Sequence, residues 1–188
     1  MKAVLILVGT ELLNGGMVDT NSIYMAEQLN KYGIEIESKI TVGDDIDEIV
    51  KCIEYGKKNS DLVIMSGGLG PTIDDLTKDA IAKYLGKKLI VKEKDLEDLK
   101  KKFKERHFEF IPNNIKQIER TEDSVFFENG AGMAPAMYDE GIVCFPGVPV
   151  ELYAMFPKFL KWYAEEKNLG ADQIYIKDLL TCGIGESC

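Results

Sequence analysis

Histidine occurs once in this chain, at position 107. A single imidazole argues against a histidine-rich zinc centre and against a Ser-His-Asp triad. Long apolar runs are absent as well, and nothing approaches the ~20 consecutive residues of a membrane span. The opening Met1-Lys2 followed by Ala3-Val4-Leu5-Ile6-Leu7-Val8 imitates a signal peptide, but it lacks a small-residue cleavage site. Gly9-Thr10-Glu11 follows at once, so the run reads as a buried first strand. Basic excess is missing too: the net charge is −9, opposite to what a nucleic-acid surface needs. The one dense basic stretch, Lys100-Lys101-Lys102 with Lys104 and Arg106, alternates with Glu97, Asp98 and Glu105, as on a solvated helix face. Four cysteines (Cys52, Cys144, Cys182, Cys188) show no C-x-x-C spacing. Cys52 and Cys144 lie in periodic apolar segments and read as reduced thiols of a cytoplasmic protein. Repeats, low-complexity segments and dividing linkers are all lacking.

What is present suits one domain, or one domain with a small appendage: 188 residues, 45% hydrophobic and 29% charged. Ala3 to Val8 has the continuous apolar character of a strand covered on both faces. Asp19-Thr20-Asn21 offers caps for a helix with Ile23, Ala26 and Leu29 as apolar positions and Gly33 at its end. Ile34 to Val42 alternates as a second strand. Asp44 or Asp45 caps a helix whose Ile46, Ile49, Val50 and Ile53 share one face. Asp61 to Ser66 is a third strand, and strand-helix alternation of this kind predicts a parallel sheet with helices on both faces. Further along, Asp75 to Leu85 reads as a helix closed by Gly86, and Lys94 to Phe108 as a charged helix with Leu96, Leu99 and Phe103 inward. Ser124 to Phe127 is strand-like, and Ala136 to Phe145 forms a hairpin turning at Asp139-Glu140-Gly141. Val150 to Glu166 is a helix that Pro157 should disturb or bend. Gln173 to Leu180 is a last strand. Residues 1–170 are expected to form the ligand-binding domain. Residues 171–188 would hold the final strand and the start of a following module, truncated or absent.

Chemistry concentrates where strands should end. Ser66-Gly67-Gly68-Leu69-Gly70, with Thr72, follows the third strand, and the carboxyl edge of a parallel sheet is where ligands bind. The loop is not a dinucleotide fingerprint, which would need glycine at Ile73, and it lacks the Gly-Lys-Ser/Thr of a P-loop. Asp74 and Asp75 close it. Carboxylates repel phosphate unless a proton or a divalent cation lies between, so the pattern suggests phosphate chemistry with magnesium or a similar ion. Alternatively, one aspartate only caps a helix, worth ~1 kcal/mol. Gly9 to Asn21, carrying Thr10, Glu11, Asp19 and Asn21, should project from the same edge. So should Phe145 to Glu151, stiffened by Pro146 and Pro149 around Gly147. On this reading an amide at position 75 removes charge but keeps shape, and valine at Gly68 blocks approach to the loop amides.

The motifs "GTELLNG", "DTN", "SGGLGPTIDDLT", "NNIKQ", "NGAGMAP" and "FPGVPVE" occur in this order. Together they resemble the amino-terminal domain of the competence/damage-inducible CinA family, itself similar to the molybdopterin-binding MoaB/MogA proteins. The resemblance runs from Met1 to Ser187. It implies a three-layer α/β/α sandwich, MoaB/MogA-like, with a mostly parallel sheet, an antiparallel hairpin and a ligand over Gly67, Gly68 and Gly70. It implies metal and nucleotide chemistry at Asp75, which Leu76-Thr77 follows. A metal-dependent pyrophosphatase would place Asp19 near the metal with Asp75, and Asp74 beside them. Asn129 of "NGAGMAP" and Glu151 join the ligand-binding set. The family usually has glycine where this chain has Ala136, a less permissive backbone. The implied activity is metal-dependent hydrolysis of ADP-ribose. The nicotinamide-mononucleotide deamidase activity of the family's carboxyl-terminal module is not carried over. Molybdopterin binding or adenylyl transfer is one alternative, and a non-catalytic nucleotide-binding module another. The expected partner is a small nucleotide or pterin phosphate, with no nucleic acid, no membrane and a homo-oligomeric state.

Overall fold

The structure, a computed structural model, describes residues 1–169. Its centre is β1 (Lys2–Val8), six of whose seven residues are buried. Alternate residues of β1 serve two separate cores. Ala3, Leu5 and Leu7 join one, while Val4, Ile6 and Val8 join the other. That division defines three layers. On one side lie α2 (Asn21–Lys31) and α6 (Pro149–Glu166). On the other are α3 (Ile46–Asn59) and α4 (Thr77–Leu85).

The six-stranded sheet has the order β2 (Glu35–Val42), β1, β3 (Leu62–Ser66), β8 (Ile142–Phe145), β7 (Ala136–Asp139), β6 (Val125–Phe127). β2, β1, β3 and β8 run parallel, so their carboxyl ends share one edge. β7 is antiparallel to β8, and β6 is antiparallel to β7. The β7–β8 turn places Glu140 at φ 45° and Gly141 at φ 81°, the two positive values that a twisted two-residue hairpin demands. Ala136 pairs with Phe127 in the ladder and so occupies ordinary strand. No helix among the described residues is long and apolar enough to cross a membrane.

The structure corrects several boundaries. α2 buries Asn21, Ser22, Met25 and Leu29, while Ile23 is exposed. α4 begins at Thr77, two residues after Asp75, so neither Asp74 nor Asp75 belongs to it or caps it. Asp45, not Asp44, caps α3 by accepting from the amides of Asp47 and Glu48. The charged helix is α5 (Glu93–Glu105), with Leu99 and Phe103 buried. α6 continues through Pro157, whose ring is exposed. Four elements lie where the sequence pattern predicts none: α1 (Thr10–Leu13), the strands β4 (Leu89–Ile90) and β5 (Arg120–Thr121) of a two-stranded ribbon, and a 3-10 helix, Pro112–Ile118. The strand expected at Gln173 to Leu180 and the division at residue 171 lie outside the described residues.

Candidate functional site

The loops after β1, β3 and β8 converge on a cleft of about 760 Å3. Of the residues proposed from sequence, Gly9, Glu11, Asp19, Asn21, Ser66, Gly67, Gly68, Gly70, Thr72, Asp74, Asp75, Pro146, Gly147 and Glu151 line it. One side chain ties the three loops together. Asn21, 7% exposed, donates from Nδ2 to Ser66 Oγ (2.9 Å) and to the Gly147 carbonyl (2.8 Å). The Ser66 hydroxyl in turn donates to the Pro146 carbonyl (3.3 Å).

The glycine loop is held by its own acid. Asp75 Oδ1 accepts from the Gly70 amide (2.7 Å), and Oδ2 accepts from the Thr72 amide (2.8 Å) and hydroxyl (2.6 Å). Gly70 is required for this: a Cβ there would stand 2.6 Å from Asp75 Oδ2. Gly68 adopts φ 66°, and a Cβ on it would stand 2.4 Å from Thr77 Oγ1. These glycines therefore make room for protein atoms as much as for a ligand. The same arrangement recurs at two other corners. The Glu11 carboxylate lies over Gly9, and that of Glu151 over Gly132.

Other proposed residues act from behind the wall. Thr10 donates from its amide (3.0 Å) and hydroxyl (2.7 Å) to Asp44 Oδ2, and it is Asp44 that faces the cleft. Asn129 is fully buried and also absent from the wall. It donates to Ala134 O (2.9 Å) and Glu151 Oε2 (2.6 Å), and accepts from the amides of Ala131 (3.0 Å) and Gly132 (2.7 Å). Asn129 thus folds "NGAGMAP" and aims Glu151. Asp19 accepts from the amide of Ser22 (2.9 Å) and from its hydroxyl, fastening the start of α2. Asp74 is exposed.

Six carboxylates line the cleft: Glu11, Asp19, Asp44, Asp74, Asp75 and Glu151. Among the described residues no lysine, arginine or histidine does. The cations stand outside it. Lys39 Nζ is 3.9 Å from Asp19, and Lys116 Nζ donates to the Thr72 carbonyl (3.0 Å). Lys78, 5% exposed, lies in the first turn of α4 and donates to the Gln117 carbonyl at 2.7 Å. Burial pushes its ammonium down to about 8. Among the described residues no three His, Cys, Asp or Glu side chains stand close enough to hold an ion alone. Asp19 and Asp75 keep free lone pairs beside their hydrogen bonds, since a carboxylate offers about four acceptor positions. Hard oxygen donors in that number fit magnesium, which typically takes one or two carboxylates and completes its shell with substrate phosphates and water.

Sequence reading missed Asp44 and Gln117. In the sequence Asp44 and Asp45 are equivalent candidates for the cap of α3, and nothing local marks Asp44 as the one that turns to the cleft. Gln117 lies on the 3-10 helix, within "NNIKQ", and nothing local marks its approach to the cleft.

The family described as "Probable molybdopterin binding domain" matches residues 4–165. A CinA-like protein of Fusobacterium nucleatum is 60% identical over 189 residues, covering 100% of this chain and 46% of the relative. The chain thus spans about half the length of the curated relatives it matches. The crystal structure of CinA from Thermoplasma acidophilum, described as of unknown function, superposes with a TM-score of 0.79 at 33% identity. That match covers 86% of this chain and 98% of the other. The molybdopterin biosynthesis Mog protein of Mycobacterium ulcerans shares the fold, with a TM-score of 0.59 at 17% identity over 90% of this chain and 99% of that one.

Proposed function

We propose a nucleotide-diphosphate chemistry for this chain, which belongs to the probable molybdopterin binding domain family and to its CinA-like members. In this reading the cleft binds ADP-ribose or a close analogue and hydrolyses its pyrophosphate with a divalent cation. The observation that carries it is electrostatic. A cleft that among the described residues has six carboxylates and no cationic side chain on its wall repels a bare diphosphate, yet a glycine-rich loop at the carboxyl edge of a parallel sheet is where phosphates commonly bind. A divalent cation reconciles the two. Asp75 and Asp19 would hold it, and when bound it supplies positive charge to the phosphates and lowers the cost of charge build-up on them.

The chain's own groups set the geometry. The Gly67 amide is bonded to the Phe145 carbonyl, and those of Gly70 and Thr72 to Asp75. The Gly68 and Leu69 amides are therefore the loop donors that a phosphate oxygen would meet. Asn21 fixes the loop spacing, while Glu11 and Glu151 are anchored carboxylates that can orient water. Hydrolysis adds water across the P–O–P bridge, leaving AMP and ribose 5-phosphate, with one water proton released or carried to the leaving oxygen.

The family description also favours a second reading, in which the cleft receives a pterin phosphate for binding or adenylyl transfer. A non-catalytic nucleotide-binding module is a third. The protein is further proposed to act as a homo-oligomer, which sedimentation measures directly. Chromatography of ADP-ribose incubated with magnesium, manganese or chelator tests the main proposal. Metal-dependent AMP supports it. Intact ADP-ribose, with a thermal-shift response to molybdopterin alone, transfers the assignment to the second reading.

A further inference from the structure

Of the motifs along the chain, "NNIKQ" is not absorbed by the phosphate site. Two of its side chains have visible tasks within the fold. Asn114 accepts from the Ile111 amide (2.9 Å), and Lys116 donates to the Thr72 carbonyl (3.0 Å). The Gln117 carbonyl is gripped by Lys78 Nζ at 2.7 Å. Gln117 is one of the residues lining the cleft, and its side-chain Oε1 is buried without a hydrogen-bond partner. Asn21 is in the same position. Gly147 O can only accept, so the Asn21 amide must face it with Nδ2, and this leaves Oδ1 buried and unpartnered. Of the three such side-chain atoms among the described residues, these two belong to the cleft; the third, Ser38 Oγ, lies on β2. Folded proteins rarely leave buried acceptors empty unless something else supplies a donor.

We infer that Gln117 and Asn21 are the specificity-determining pair of the cleft, reading neutral N–H or O–H donors on the non-phosphate part of the ligand. This inference rests on the proposed reading of the cleft as a nucleotide-phosphate site. Ionised phosphate oxygens only accept, so they cannot satisfy two amide oxygens. A ligand that does must carry hydroxyls or an amine beside its phosphates, as a nucleoside diphosphate joined to a sugar does. The division of labour is then clear: the loops and the cation take the charge, while Gln117 and Asn21 take the identity.

The test compares two ligands that share a diphosphate and differ in donors, ADP-ribose and inorganic pyrophosphate, each with magnesium. Calorimetry is run on the wild-type chain, Gln117→Leu and Gln117→Met, the second variant retaining an unbranched side chain in case leucine disturbs the 3-10 helix. Loss of one neutral hydrogen bond should weaken ADP-ribose roughly five- to tenfold and leave pyrophosphate within twofold. Thermal stability should hold or rise, because an unpartnered buried oxygen has been removed. Equal weakening of both ligands, or of neither, overturns the inference while leaving the phosphate site standing. If the wild-type chain binds neither ligand, the nucleotide-phosphate reading fails first and this one falls with it.

Discussion

Replacing Asp75 by asparagine appears at first to remove a charge and keep a shape. The structure says otherwise, because both carboxylate oxygens are used. Oδ1 takes the Gly70 amide, and Oδ2 takes the Thr72 amide and hydroxyl. An asparagine must turn its NH2 toward one of these backbone N–H groups, so one charge-assisted bond becomes a donor facing a donor. Such a bond is worth roughly 1.5–3 kcal/mol, and a half-buried site belongs near the lower end. For a chain of this size 1 kcal/mol corresponds to ~2–4 °C, so Asp75→Asn should lower Tm by roughly 3–8 °C if the loop melts with the domain. If it opens separately, the loss appears as faster hydrogen exchange at the Gly70 and Thr72 amides. Thr72→Val is the control. It removes only the 2.6 Å hydroxyl bond and keeps the carboxylate, so it should cost ~1 kcal/mol or less and retain most ligand binding. An Asp75→Asn protein with wild-type Tm and unchanged exchange at both amides would refute the loop-holding role. Activity loss in that protein could then be ascribed to charge alone.

Gly68→Val should destabilise the loop itself, by ~1–3 kcal/mol, since φ 66° and the 2.4 Å approach of Thr77 Oγ1 both oppose a Cβ. Denaturant unfolding checks this, and an unchanged midpoint would be the contrary result. Cation and diphosphate should bind with positive coupling of roughly 1–3 kcal/mol. Calorimetry of ADP-ribose with magnesium and with chelator measures it, and equal affinities would remove the bridging ion. Lys78 supplies a pH signature. Burial lowers its pKa from 10.5 to about 8, so the unfolded chain holds more protons between these values and native stability rises with pH across that window. Relative to Lys78→Met, wild type should therefore gain up to ~3 kcal/mol between pH 8 and 10.5, and a flat difference would show the amine to be better solvated than its 5% exposure implies.

The architecture could be read in advance because the central strands are apolar on both faces and the first two parallel crossovers, β1 to β2 and β2 to β3, run through helices. Ala3–Val8 and Leu62–Ser66 show no alternation, and that is the pattern of strands with helices on each side. Gly141 announced its hairpin, since glycine tolerates the positive φ of the second turn position, while Glu140 takes the first at φ 45°. The 3-10 helix at Pro112–Ile118 was not legible, since it has neither a 3.6-residue period nor an alternation. Periodicity also misled at the start of α2. It selected Ile23 as a core residue, whereas Asn21 and Ser22 are the buried ones, because this turn faces Ser66, Gly147 and Asp19 rather than an apolar layer.

The acids of the site show where local reasoning ends. A glycine loop beside two aspartates suggests ligand-facing charge, and nothing in "SGGLGPTIDD" distinguishes a carboxylate that binds a ligand from one that binds the loop. The distinction is geometric. Asp75 returns to Gly70 and Thr72, Asp19 to Ser22, Asp44 to Thr10, and Glu151 to Asn129, a partner 22 residues away. Each acid that faces the cleft in this set is also bonded to the chain behind it. Such acids cannot swing away to relieve mutual repulsion, so the negative field is built into the loops that shape the cleft. A fixed field of this kind discriminates. In the proposed reading it disfavours free phosphate and favours phosphate that arrives with its own cation, so the coupling between metal and ligand, rather than affinity for either alone, is the property that this site should express.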